Sequence, residues 1–142
     1  MPYPRVFALT ASLALFGCHT TPVALQDAAS IPPDRLLAFQ TQKGPDAAIL
    51  LVTRDDGLMG SGCFVTLRIN GVLSAKFELA EKARFVVPPG ETLLRVSLDG
   101  RGLCSFNADY WTQRETILRP GETKTFRIST DAGGKVDINR SD

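Results

Sequence analysis

The stretch Cys63-Phe64-Val65-Thr66-Leu67-Arg68-Ile69-Asn70-Gly71-Val72-Leu73-Ser74-Ala75-Lys76-Phe77 decides the fold. Cys63, Val65, Leu67 and Ile69 alternate with Phe64, Thr66 and Arg68, and a period of two belongs to a strand with one buried face. Asn70-Gly71 follows, a pair that tolerates the positive φ of a tight hairpin. A strict two-residue turn would set Leu67 against Ser74 and Val65 against Lys76, mixing polar groups into the apolar face. A three-residue connection ending at Val72 instead pairs Ile69 with Leu73, Leu67 with Ala75, Val65 with Phe77 and Cys63 with Leu79. Register must keep one face apolar, so the longer connection is expected.

Similar runs flank this hairpin. Upstream, Arg35 to Thr41 reads as a first strand, and the unbroken apolar run in Ala47 to Thr53 reads as a strand covered on both faces or at the sandwich centre, closed by Asp55-Asp56-Gly57. Downstream, Glu78 to Ala83 is rich in helix formers but too short for an independent helix, and reads as a turn. Ala83 to Val87 and Glu91 to Leu98 follow, on either side of Pro88-Pro89-Gly90. Pro89-Gly90-Glu91-Thr92 is echoed by Pro120-Gly121-Glu122-Thr123, and both copies read as hairpins turning on Pro-Gly. Phe126 and Ile128 alternate inward, and Gly133-Gly134 leads into a last strand, Lys135 to Asn139. About eight or nine short strands with frequent turns predict an all-β fold, a single antiparallel Ig-like β-sandwich over 34–142.

The amino-terminal part has another character. A short start bearing Arg5 precedes Val6 to Gly17, which is apolar except for Thr10 and Ser12, and then comes Cys18. This is the order of a signal peptide over 1–17, and the apolar run is shorter than the roughly 20 residues that a membrane-spanning helix needs. Leu15-Phe16-Gly17-Cys18 resembles the bacterial lipobox, although Phe16 is bulkier than usual for its position. The resemblance implies acyl chains on Cys18 and a membrane as partner; the plainer alternative is a small residue in an ordinary secretory leader. Asp after the lipidated Cys resembles an inner-membrane retention signal, and residue 19 is His, so the expected address is the outer membrane with the domain facing the periplasm. Residues 18–33, mostly small or polar and broken by Pro22, Pro32 and Pro33, read as a flexible tether lifting the body off the bilayer.

Charge excludes one class of partner. The chain carries 16 Lys and Arg against 15 Asp and Glu, and losing Arg5 with the leader balances them, so there is no basic field for nucleic acid. Of the three cysteines, Cys18 is assigned to lipid. Cys63 and Cys104 form an even pair in an oxidising compartment, read as a disulfide, with two buried free thiols as the alternative.

Catalytic chemistry finds few residues to use. The one histidine, His19, lies outside the expected body, so nucleophile–His pairs and His-based metal sites have no candidate, and no cofactor, metal or catalytic residue is assigned. Gly57, Gly60 and Gly62 lack dinucleotide-fingerprint spacing and precede a strand, so they read as a mobile turn. Asp99, Asp109 and Glu115 are the carboxylates near an aromatic segment, the basis of an alternative reading as a carboxylate hydrolase. In Asn107-Ala108-Asp109-Tyr110-Trp111-Thr112-Gln113-Arg114, Tyr110, Trp111 and Arg114 are of the types that dominate interface hot spots. The stretch is read either as a recognition loop for an envelope protein or as a place where Trp111 caps the sandwich against the disulfide.

Thr53-Arg54-Asp55, Gly62-Cys63, Ile69-Asn70-Gly71-Val72-Leu73, Pro89-Gly90-Glu91, Leu103-Cys104 and the run from Trp111 to Thr123 resemble a family of small proteobacterial lipoproteins of uncharacterised function, over about residues 34 to 140. Members sometimes carry a 3-isopropylmalate dehydratase label. That chemistry uses an iron–sulfur cluster on three Cys ligands, and this body has two and no Cys-x-x-Cys. The strand, Asn-Gly, strand and Pro-Gly arrangement is also similar to PEGA-type surface β-domains. The resemblances imply a non-catalytic binding or scaffolding module of the envelope, with an inhibitor, immunity or secretion-accessory lipoprotein as the runner-up.

Overall fold

The computed structural model describes residues 19–41, 44–107 and 109–141. The leader over 1–17 and Cys18 lie outside the described residues. In the hairpin, β3 (Phe64–Ile69) and β4 (Val72–Phe77) are joined by a two-residue turn in which Asn70 and Gly71 both have positive φ, 50° and 82°. Ile69 faces Val72 and Arg68 faces Leu73, so the expected Ile69–Leu73 pair does not form. The register then shifts, and beyond the shift Leu67 faces Ala75 and Val65 faces Phe77 as expected. The residue that makes the bulge is Ser74, whose Oγ accepts the Ile69 N–H at 3.2 Å and donates to the Val72 carbonyl at 2.8 Å. A bulge thus reconciles the favoured short turn with an apolar inner face. Cys63 precedes β3 and does not pair with Leu79.

Among the described residues the other strands are β1 (Ala29–Ser30), β2 (Ala48–Arg54), β5 (Glu81–Val87), β6 (Gly90–Asp99), β7 (Trp111–Leu118), β8 (Thr123–Thr130) and β9 (Val136–Ser141). They form a five-stranded sheet in the order β1-β5-β2-β8-β9 and a four-stranded sheet in the order β4-β3-β6-β7. The fold is an all-β sandwich of two open sheets. Most pairings are antiparallel, but β1 runs parallel to β5 and β2 parallel to β8. The core fills from alternate positions of both sheets: Leu50, Val52, Phe85 and Ile128 from one, Val65, Leu67, Leu94 and Val96 from the other. Strand β2 is central as expected, flanked by β5 and β8, with Ile49 and Leu51 half-covered on its outer side.

Neither Pro-Gly connection is a hairpin. Strand β5 belongs to the five-stranded sheet and β6 to the four-stranded one, and β7 and β8 are divided likewise. Both connections cross between sheets, side by side, since Gly90 pairs with Leu118. In the second, Glu122 N–H donates to the Arg119 carbonyl at 3.1 Å with Pro120 and Gly121 (φ 70°) between them, and Glu122 Oε2 accepts the Arg119 N–H. That bond holds the Glu122 carboxyl below its ordinary pKa. Inward alternation on both sides of a turn is satisfied by a hairpin or by a crossing, so the local sequence is silent on which occurs.

The largest correction concerns 18–33, expected as a free tether. From Thr20 onward this segment is fastened to the body. Thr20 is buried, its N–H donates to the Thr130 carbonyl, and Thr21 bridges Asp56. Ala28 and Ile31 are buried, and Lys82 Nζ donates to the Leu25 carbonyl at 2.8 Å. The next expectation, a strand over Arg35 to Thr41, is also replaced. Pro33–Arg35 is a 3₁₀ turn, Leu36 bridges Ala75, and the Phe39 carbonyl accepts the Val86 N–H. Arg35 clamps Glu81 through two bonds of 2.7 and 2.6 Å and donates to the Lys76 carbonyl. The Glu81 hydrogen bond raises the Arg35 pKa. Residues 28–40 thereby occupy hydrogen-bonding groups on the edges of β4 and β5, which would otherwise be open to pairing.

Candidate functional site

Strand β7 is an edge strand of the four-stranded sheet, and Trp111 opens it opposite Ser97. Val96 and Leu98 point into the core, so Ser97 and Trp111 point outward. Trp111 is 54 % exposed and the Arg95 guanidinium lies over its ring, 4.1 Å from the centroid. Arg95 in turn donates through Nε and Nη2 to Gln113 Oε1 at 3.3 and 3.1 Å. Arg95 and Gln113 are register partners, so two strands hold the guanidinium and a diagonal neighbour supplies the ring. A cation stacked on an indole is preorganised, because little side-chain freedom remains to be lost when a partner docks. Trp111 does not cap the sandwich against the disulfide.

The three residues expected to act together are divided. Tyr110 and Trp111 line a groove of about 430 Å³ with Leu98, Thr112, Lys135 and Val136, between the start of β7 and the turn before β9. Thr112 Oγ1 closes its floor by donating to the Val136 carbonyl at 2.7 Å. Arg114 lies on the opposite face of β7, facing Leu94 in register, and donates to Asp137 Oδ2 at 2.7 Å. It ties β7 to β9 across the side of the sandwich. Sequence reading missed Arg95 and gave Gln113, inside the recognition stretch, no role of its own. The β6–β7 register is the signal that would have found them, and that register needs the strand pairing first.

Cys63 and Cys104 form the expected disulfide, with Cα atoms 5.5 Å apart. It joins the 55–63 loop to the 3₁₀ turn Gly102–Asn107. A buried guanidinium stands beside it, and the next residue along the chain is a buried carboxylate. Arg54 donates through Nη1 to the Cys63 and Phe77 carbonyls at 2.7 and 2.8 Å and through Nη2 to the Gly60 carbonyl at 2.9 Å, while its Nε has no partner. Burial lowers the Arg54 pKa to about 10, so it stays charged at neutral pH. Asp55 accepts two bonds from Arg127, at 2.6 and 2.8 Å, and one from Thr20 Oγ1 at 2.9 Å. The glycine loop read as a mobile turn is therefore pinned: Gly60 (φ 73°) gives its carbonyl to Arg54, and a side chain there would press on that guanidinium.

Asp99 and Glu115 do not form a pair. Asp99 is bound to Lys76 at 2.7 Å. Glu115 faces Leu93, six positions along β6 from Asp99, a separation of about 20 Å at strand rise, against the roughly 5–9.5 Å of glycosidase carboxyl pairs. Asp109 is exposed in the turn before β7. Among the described residues no cluster of three or more His, Cys, Asp or Glu side chains could hold a metal ion. No protein-family model matches the chain, and no curated protein matches it in sequence.

Proposed function

We propose that this protein is a lipid-anchored module of the bacterial envelope, held at the periplasmic face of the outer membrane through Cys18, that binds a protein partner rather than performing catalysis. It would belong with the small lipoproteins that its motifs resemble. The observation that carries the binding role is the Arg95–Trp111 stack, oriented by Gln113 and exposed on rigid strands. Interface hot spots are built from such Trp and Arg anchors. The Leu15-Phe16-Gly17-Cys18 sequence supports the anchor, and the stapled body suits an oxidising compartment.

The test is a pull-down from detergent-solubilised envelopes of the native host, using the wild type and the Trp111→Ala and Arg95→Ala variants. A specific protein retained by the wild type and lost, about tenfold or more, by both variants at an unchanged thermal midpoint is the expected result. No retained protein, or one held equally by the variants, removes the stack as the binding element. Intact mass of the membrane-extracted chain reports separately on acylation of Cys18.

A further inference from the structure

The large exposed apolar side chains are unevenly placed. Of the eight among the described residues, Leu58, Leu103, Phe106, Tyr110 and Trp111 lie at one end of the sandwich, in or beside the 55–63 loop and the connection from β6 to β7. Leu58, Leu103 and Phe106 are 86, 84 and 78 % exposed. Leu103 and Phe106 are three residues apart in a 3₁₀ turn and so share its outer side, while Cys104 between them is buried in its bond to Cys63. Gly100 permits this, since a side chain there would come within 2.8 Å of Cys104 Cβ. The disulfide makes one rim of two loops.

The amino-terminal segment joins the body at this same end. Thr21 bridges Asp56, and a side chain on Gly57 would lie 3.6 Å from the His19 carbonyl oxygen. The residue before His19 is Cys18. With the following segment fastened down, no spacer separates the anchor from the rim. We propose that Leu58, Leu103, Phe106 and Tyr110 sit in the headgroup and acyl boundary of the bilayer beside the lipid on Cys18, so that the domain stands on this end with its strands rising from the membrane. The proposal rests on the lipid-anchor reading. Apolar side chains and a Tyr at the boundary are the chemistry of interfacial insertion. The exposed charges around the rim are mixed, Asp56, Asp109 and Asp131 against Arg101 and Lys135, so contact is apolar and insensitive to salt.

The sole Trp allows a direct test. Two full-length acylated variants move it: Trp111→Phe with Phe106→Trp places it on the rim, and Trp111→Phe with Ile117→Trp places it on an exposed site near the other end. Ile117 faces Glu91 where Trp111 faces Ser97, about 20 Å along the strands. Each is reconstituted in phosphatidylethanolamine–phosphatidylglycerol vesicles containing lipids brominated near the headgroup, and vesicle flotation is compared with that of the Cys18→Ser chain. The expected result is flotation that needs Cys18, a blue shift and loss of emission for the Trp at 106 in low and high salt, and neither change for the Trp at 117. Adding Leu58→Asp and Leu103→Asp to the rim variant restores its emission while flotation persists. Flotation without quenching at 106, or equal quenching at both sites, overturns the rim and leaves the anchor standing. No flotation of the acylated chain overturns both.

Discussion

The two ends of this sandwich are held by different means. At the end carrying Asn70-Gly71 and the two Pro-Gly crossings, short turns set the path of the chain mainly through their own backbone preferences, with bonds such as Asn70 to Leu93 added from neighbouring strands. At the other end, longer connections are held from within, by the Arg54 guanidinium, the Asp55 carboxylate, Thr20 and the disulfide. The difference teaches where local chemistry suffices and where a loop needs partners distant in sequence. It also places exposed apolar side chains on loops that buried partners hold in place.

The sharpest way to break the comparison is Arg54→Ala, which orphans three carbonyls and leaves a cavity. It is expected to cost about 4 kcal/mol in urea unfolding, with Arg54→Met nearer about 2 kcal/mol because the volume stays filled. A cost within about 0.5 kcal/mol, as at ordinary surface positions, would mean that this end does not depend on its buried ion. Next in size is the disulfide. Cys63→Ser with Cys104→Ser is expected to lower stability by roughly 2–4 kcal/mol and to speed proteolysis between 100 and 110, leaving the Asn70-Gly71 hairpin protected; digestion at both ends alike would erase the distinction. Smallest is Gly71→Ala. A side chain there meets nothing within 4 Å, so the expected loss of about 1 kcal/mol in urea unfolding reports the positive φ alone. A larger loss would show that turn to be held by packing as well.

The same contrast governs what could be read from the sequence. Asn70-Gly71 announced its turn, and the alternation from Val65 to Ile69 announced the buried face. The bulge at Ser74 was hidden, because it depends on one hydroxyl bonding the Ile69 N–H. Pro89-Gly90 and Pro120-Gly121 were legible as turns, yet which sheet receives the next strand is decided by the long-range pairing of β6 with β3 and of β8 with β2. Cys63 and Cys104 were legible by count. Residues 19–33 were misread because their buried residues, Thr20, Ala28 and Ile31, follow no strand or helix period. Of the candidate site, Tyr110 and Trp111 were legible by residue type and do share a groove, but Arg95 was not, since nothing local marks one arginine on an outward face as the partner of a ring.

One pairing has a kinetic consequence. Strand β2 lies between β5 and β8, and Thr20 is bonded to Thr130 across 110 positions of chain. The five-stranded sheet therefore cannot be completed until almost the whole polypeptide is present, and distant contacts of this kind make assembly slow. The arrangement that delays closure leaves one edge of β2 unpaired until Thr123–Thr130 joins it.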